Sequence, residues 1–471
     1  MTSVMVPAAK RRGGTRAVAA VRGVIPTFDP IRLALFALTV LTVSRIHQHF
    51  GFIAQLRPAM MLAAITLFFA LLNPNELVRG SLLRTWPAKV MLGLAVAACL
   101  SVPFGIAMGQ SGRYVIESYS KVIVFGFLII AATRSVRDLA TFVWGYVIGC
   151  ALLAWLSLFV FGLVRDEGNT YRLNDLYTFD ANDVGCVMMI GLALTLLLFQ
   201  ASRAHGRWIA ATILIAIGAT ISKTGSRGAF VAAVLVGVYL LLSLKKVSIV
   251  KRVAFIGVVS AAVVVSAPPG YWDRMLTVTD PTEDYNWTDV NGRVEVAKRG
   301  LGYMMEYPVF GVGISNFPLA EGTMSEKART RVAGTGIRWA AAHNSYVQIG
   351  AELGILGLTL WLILIFGGIL AMRRLRSRLP KHWDRGDPDE RFLYLTAMYL
   401  PVALVGFGVS SFFVSFAYLD PIYIVAALMA GLYVAVNAKL KTLPGSAVAP
   451  APSKGMARRA RNGQPVQFRK Q

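Results

Sequence analysis

Along most of this chain the hydrophobic positions follow neither the two-residue period of a half-buried strand nor the stripe of a surface helix. They run on without a break, each run close to the ~20 residues that cross a bilayer as a helix. Twelve such runs lie near residues 31–46, 58–73, 89–108, 120–133, 138–163, 183–201, 208–222, 228–244, 252–267, 343–371, 392–414 and 419–436, the fourth and seventh being short. The pattern predicts an all-α polytopic membrane protein of about twelve transmembrane helices. Most breaks between runs are brief, but one is far longer than an ordinary connection. The chain therefore divides into a basic segment over 1–30, helices one to nine over 31–267, a long loop over 268–342, helices ten to twelve over 343–436, and a basic tail over 437–471. The Pro, Ala, Gly and Arg of that tail are the composition of a disordered segment.

Composition agrees, and charge adds orientation. The 471 residues are 56% hydrophobic and 15% charged, with mean hydropathy +0.58, whereas about a quarter of a soluble chain is charged. A net charge of +24 would suggest nucleic acid in a soluble protein. Here 32 of the 48 Lys and Arg fall in the two termini or in alternate breaks such as "KKVSIVKR" (245–252) and "RRLRSRLPKHWDR" (373–385), while 17 of the 24 acids fall on the other side. The positive-inside rule then makes both termini cytoplasmic and the long loop external, and no nucleic-acid partner is needed to explain the charge. Lys10, Arg11, Arg12, Arg16 and Arg22 precede the first apolar run without a small-residue cleavage site, so that run reads as a retained span and not a signal peptide. Cys99, Cys150 and Cys186 lie in or beside apolar runs with no CxxC or Cys/His spacing, and read as packing residues.

The long loop reads as a folded external cap of short helices. It carries aromatics such as Tyr271, Trp272, Trp287 and Trp339, and an amphipathic stretch, "GRVEVAKRGLGYMMEY". Helical spacing puts Val294, Ala297, Leu301 and Met304 on one face and predicts an i,i+4 pair between Glu295 and Arg299. Pro308 should stop this helix, and "GVG" should turn the chain.

Polar chemistry gathers on the external side. In "SKTGSRGAF" (222–230), Lys223 and Arg227 flank a turn that opens a helix, where free N–H groups favour an anion and a guanidinium matches phosphate oxygens; the plainer reading is an interfacial side chain snorkelling to headgroups. Arg293 opens the amphipathic helix and fits a pyrophosphate as a second arginine, or a solvated surface, the reading that suits Lys298 and Arg299. His343 is followed by Asn344, which can cap the next helix and leave the imidazole at its N-terminus, where the dipole favours the neutral ring a general base needs; a lone interfacial histidine is otherwise structural. Arg338 opens the same stretch and counts with them as a substrate-binding candidate. Asp180, Asn182 and Asp183 in "YTFDANDVGCVM" (177–188) could position sugar hydroxyls or cap a helix. Glu352, nine residues after His343, lies on the opposite helical face and reads as the structural partner of an arginine from another span.

Three of these stretches, "SRGAFVAAVLVG", "NGRVEVAKRGLGYMMEYPVFGVGISNF" and "AAHNSYVQIGAELGILGL", resemble in order the signatures of the O-antigen ligase and O-antigen/exopolysaccharide polymerase superfamily over residues 170 to 370, and "YTFDANDVG" is similar to its aromatic-x-Asn segment apart from Ala181. The resemblance implies a GT-C-like membrane glycosyltransferase at the periplasmic face of a bacterial inner membrane, inverting and needing no metal or cofactor. Its donor would be an undecaprenyl-diphosphate-linked oligosaccharide, and its acceptor a second lipid-linked glycan or lipid A-core, with other envelope polysaccharide-assembly proteins as possible partners. It also implies that Arg227 and Arg293 hold the diphosphate and that His343 serves the acceptor hydroxyl. The "NGR" form of the second motif leans towards a polymerase over a ligase or a protein-glycosylating relative. A transporter would place charged residues deep in several spans and show related halves. A scaffold subunit would leave the external arginines and histidine without a role.

Overall fold

The computed structural model describes residues 24, 26, 28–56, 58–72, 82–165, 170–203, 205–243, 248–279, 289, 292–330 and 339–442. Arg338 lies outside the described residues. Within them nine helices are long and apolar enough to cross a membrane: Trp86–Phe104, Met108–Ala132, Val136–Val160, Ala181–Ala201, His205–Thr224, Ile249–Ser266, Ser345–Arg378, Pro388–Ser410 and Asp420–Lys441. Shorter apolar helices, Pro30–Ser44, Met60–Phe69 and Arg227–Ser243, stand at the other three predicted spans. The protein is thus an all-α multi-span chain, relieved among the described residues by one small antiparallel hairpin, Leu163–Arg165 with Tyr171–Leu173. The fourth span begins earlier than the hydropathy suggests. A helix starting at Met108 passes through a π turn, Val115–Tyr119, before it joins Ser120–Ala132, so its first three turns hold Arg113 and Glu117.

These helices are apolar on every side, and in lipid only their own backbone hydrogen bonds satisfy the peptide groups. Their starts are set by side-chain caps: Ser135 with Asp138, Asp180 with Asp183, and Asp387 with Glu390 form reciprocal capping boxes. The most enclosed helices are Ala181–Ala201 and Pro388–Ser410, whose central windows are 83% and 89% buried, whereas the Ile249–Ser266 window is 0% buried and lies at the rim. At one end of the bundle the fully buried Arg32 pairs through Nε with Asp138 Oδ1 at 2.6 Å and through Nη1 with Asp29, and Lys439 meets Asp387 at 2.7 Å. The opposite end, where His343 lies, is built differently.

Within the long loop the described residues form short helices, Tyr271–Leu276, Arg293–Glu306, Phe317–Thr323 and Glu326–Thr330. The helix Arg293–Glu306 stops before Pro308 as the sequence suggests, but its inner face is Val296, Gly300 and Tyr303, and Leu301 is exposed. Gly300 explains the shift: a Cβ there would meet Val347 Cγ1 at 2.3 Å, so the helix approaches its neighbour through a residue that hydrophobicity ignores. The Glu295–Arg299 pair is also replaced. Lys298 takes Glu295 at 2.6 Å on the surface, and Arg299 forks onto the buried carboxylate of Glu321, Nε at 3.0 and 3.1 Å and Nη2 at 2.8 Å. Tyr303 donates its hydroxyl to the same carboxylate at 2.7 Å, and burial pushes that phenol well above its usual range.

Candidate functional site

The helix that follows His343 is broken in the middle. Gly354 has φ 63° and ψ −162°, inside the run Ser345–Leu362, a region essentially reserved for glycine. The break frees backbone groups, and the loop after Glu306 satisfies them. Val312 N–H donates to Ala351 O at 2.8 Å, Gly313 N–H to Glu352 O at 3.1 Å, and Ile355 N–H to Pro308 O at 2.8 Å. Gly311 and Gly313, at φ 69° and 97°, make the turn that permits this contact. A Cβ on Gly311 would stand 2.3 Å from the Glu352 carbonyl carbon, and one on Gly354 would stand 2.5 Å from Val309 C and O. The "GVG" and "AELG" stretches are therefore two halves of one backbone joint. Glu352 belongs to it: its buried Oε1 accepts from Phe317 N–H at 2.9 Å. Among the described residues no arginine pairs with Glu352; the loop's own peptide group fills that role, and the Tyr418 hydroxyl stands within interaction range of the same carboxylate.

Next to this joint stands His343. Its φ is 45°, left-handed although it is not glycine, and its N–H donates to Ser415 Oγ at 2.9 Å. Asn344 caps the helix as its position suggests, with Oδ1 accepting from Tyr346 N–H at 2.9 Å and Val347 N–H at 3.2 Å. One segment, residues 411–419, anchors this helix start. Ser345 N–H donates to Ser411 O at 2.8 Å, Ser345 Oγ donates to Val414 O at 2.7 Å and accepts from Phe416 N–H at 2.9 Å. Ser415 and Ser345 escape the sequence reading: Ser415 falls in the short break between the spans 392–414 and 419–436, and Ser345 just inside the span that starts at 343.

The arginines converge on the same end. Gly228, next to Arg227, is packed so closely on Phe413 that a Cβ would lie 2.6 Å from its ring. Arg227 is half-buried and its Nη1 donates to Thr277 Oγ1 at 2.7 Å, tying it to the start of the long loop. Arg293 is half-buried at the start of a helix that runs parallel to Ser345–Leu362, with Gly300 on Val347 and Met304 on Gly350. Val296 and Ala342 share one buried cluster, so the starts of the two helices, with Arg293 and His343, lie side by side. Lys223 is placed differently: Nζ donates to the carbonyls of Leu158 at 3.0 Å and Phe161 at 2.9 Å, closing the end of the Val136–Val160 span and leaving one of its three protons. Asn182 is buried in the first turn of its helix and leans on its cap, Nδ2 lying 3.5 Å from Asp180 Oδ2. Phe179, before that cap, packs on Phe416 with ring centroids 5.9 Å apart. His343 and Arg227 are thus tied to residues 411–419, with Arg293 at the neighbouring helix start, while Lys223 and Asn182 are committed to helix ends.

The all-helical multi-span chain thus brings a histidine and two arginines to one end, beside a loop docked into a broken helix. Residues 210–362, roughly a third of the chain, match the family model described as O-antigen ligase. The match spans Arg227, Arg293, His343 and both halves of the joint, and it associates the chain with polysaccharide glycosyl transfer. No curated protein matches the chain significantly.

Proposed function

We propose that the protein is an inverting, metal-independent glycosyltransferase of the bacterial inner membrane that polymerises O-antigen or exopolysaccharide repeat units at the periplasmic face. Its donor is an undecaprenyl-diphosphate-linked oligosaccharide. The observation that carries this reading is His343, held in a left-handed conformation by Ser415 at the start of an Asn344-capped helix, with the Arg293 helix start beside it. In the step proposed, an acceptor hydroxyl oxygen attacks the anomeric carbon and its proton passes to the His343 imidazole. The bond from that carbon to the diphosphate breaks, and undecaprenyl diphosphate leaves with its new negative charge against Arg227 and Arg293. The lipid stays in the bilayer while sugar and acceptor lie in water, which accounts for the chemistry standing at a helix start. The charge bias supports a periplasmic site and cytoplasmic termini.

The matched family's name favours a second reading, a ligase that passes the finished chain to lipid A-core. Both are tested by giving purified protein an undecaprenyl-diphosphate oligosaccharide with and without lipid A-core and sizing the products. Longer lipid-linked chains identify the polymerase, and transfer to lipid A-core the ligase. His343→Ala and Arg227→Ala should insert normally and lose transfer; full activity in both removes the site assignment. Movement of the lipid across vesicles without any transfer would make the protein a transporter.

A further inference from the structure

A second polar site lies on the other side of the docked loop. Where the Met108–Tyr114 helix passes into its π turn, a pocket of about 400 Å³ is lined by Gln110, Arg113, Tyr114, Glu117, Ser118 and Ser315. Single-turn π insertions of this kind recur at functional sites. Both walls are fixed. Gln110 Nε2 donates to Ser315 O at 2.9 Å, Ser111 Oγ donates to Ile314 O at 2.9 Å, and Ser315 is held at φ 64°, left-handed although not glycine. Between these walls Arg113, Glu117 and Ser118 are exposed, and their side chains make no hydrogen bond or ion pair among the described residues. Arg113 and Glu117 are four residues apart yet do not pair, so a cation, a carboxylate and a hydroxyl all present themselves to one cavity at the edge of an apolar span.

We propose that this pocket is a saccharide subsite that holds the glycan of the acceptor, an inference that rests on the glycosyl-transfer reading. A ligand that satisfies a guanidinium, a carboxylate, an amide and a hydroxyl together must offer donors and acceptors on neighbouring atoms, as a polyol does. A bare phosphate group offers acceptors only and would meet Glu117 as a like charge. The half-buried Tyr114 adds an aromatic face with a polar tip, against which a sugar's C–H surface can pack. The volume lies within the range of small-molecule sites. The pocket is also wired to His343: Tyr114 packs edge-on against Tyr418 with centroids 6.1 Å apart, and Tyr418 belongs to the same segment as Ser415, which holds the His343 amide.

The test uses the full chain in phosphatidylcholine nanodiscs. The probe is the free oligosaccharide released by mild acid from the host's undecaprenyl-diphosphate glycan, followed by saturation-transfer NMR and titration. Wild type and His343→Ala should bind it equally. Glu117→Gln and Arg113→Gln, both at exposed positions, should each weaken binding about tenfold, the worth of a charge-assisted hydrogen bond, and should raise the KM for acceptor with kcat retained. Equal affinity in wild type and both variants, or no binding by wild type at millimolar probe, overturns the subsite. Displacement of the probe by phosphatidylglycerol nanodiscs makes it a headgroup site and overturns it too. If the probe binds here while wild type transfers nothing, the subsite stands and the transfer reading falls; if His343→Ala abolishes transfer while the pocket variants behave as wild type, the reverse holds.

Discussion

Replacing Gly354 by alanine tests whether the joint between loop and broken helix organises the site. The φ of 63° with ψ of −162° is available to glycine alone, and forcing an alanine into it costs ~1–3 kcal/mol. The added Cβ would lie 2.5 Å from Val309 C and O and 2.7 Å from Pro308 O, and relieving contacts with backbone atoms adds ~1–3 kcal/mol. Against this, four hydrogen bonds tie the loop to the broken helix, those of the Val312, Gly313, Ile355 and Phe317 N–H groups, worth about 1 kcal/mol each. Strain and this one contact are therefore of one size, and Gly354→Ala should release the loop from the broken helix, while the bonds of Val312, Ile314 and Ser315 to Ser101, Ile106, Gln110 and Ser111 keep it on the bundle and the spans remain inserted. Amide hydrogen exchange in nanodiscs reads this directly: protection at Val312 and Gly313 should fall by about tenfold per 1.4 kcal/mol lost, and transfer should fall with it. Gly302→Ala supplies the contrast. Nothing lies within 4 Å of its Cβ position, and in a helix interior alanine is favoured over glycine by about 1 kcal/mol. Unchanged protection at Val312 and Gly313 in Gly354→Ala would refute the joint.

Ser415→Ala removes the acceptor of the His343 N–H and should lower kcat about tenfold with KM unchanged, and Ser415→Thr should restore it; an unaltered kcat in a transfer assay denies Ser415 a positioning role. Glu321→Ala strands the Arg299 guanidinium and the Tyr303 hydroxyl and should cost about 3 kcal/mol in thermal unfolding, whereas Glu295→Ala, which breaks a surface pair, should cost ~0.5 kcal/mol or less; equal losses would show that burial of the first pair adds nothing. Asn344→Ala removes the cap and should cost about 1 kcal/mol, while Asn344→Asp keeps an acceptor oxygen and should hold stability near wild type by the same assay.

Hydropathy made the helices legible because the bilayer admits few alternatives: an unbroken apolar run must close its own hydrogen bonds. Caps were legible for a similar reason, since the Asn344 and Asp180 oxygens can reach only the N–H groups that follow them. Faces and partners were less so. A stripe through Val294 and Leu301 looks more hydrophobic than one through Gly300, yet closeness to Val347 selects the glycine. Glu352 suggested an arginine because a buried carboxylate needs a donor, but the donor is the peptide N–H that opens the loop helix Phe317–Thr323, which no apolar count reveals. Ser415 was hidden because a lone serine in a four-residue break between two apolar spans does not say which backbone group it will meet.

The distribution of backbone strain supports the placing of chemistry at one end independently of any motif. Among the described residues the non-glycine positions with positive φ are Arg45, Tyr177, Ser315 and His343. All four belong to the end organised by residues 411–419. Arg45 ion-pairs with Asp420 at 3.6 Å and lies over Phe179 at 4.9 Å; the Tyr177 hydroxyl and His49 Nδ1 are 2.9 Å apart. Ser315 and His343 flank the docked loop and the broken helix. At the opposite end the helices start in reciprocal capping boxes, and the buried Arg32 is matched by two carboxylates. Strained conformations persist only where surrounding contacts over-determine them. A chain folded only to cross the membrane would gain nothing by confining them to one end. Here they fall where a histidine, two arginines and a polar pocket lie, the arrangement a site needs if it must hold its groups still while its substrate arrives.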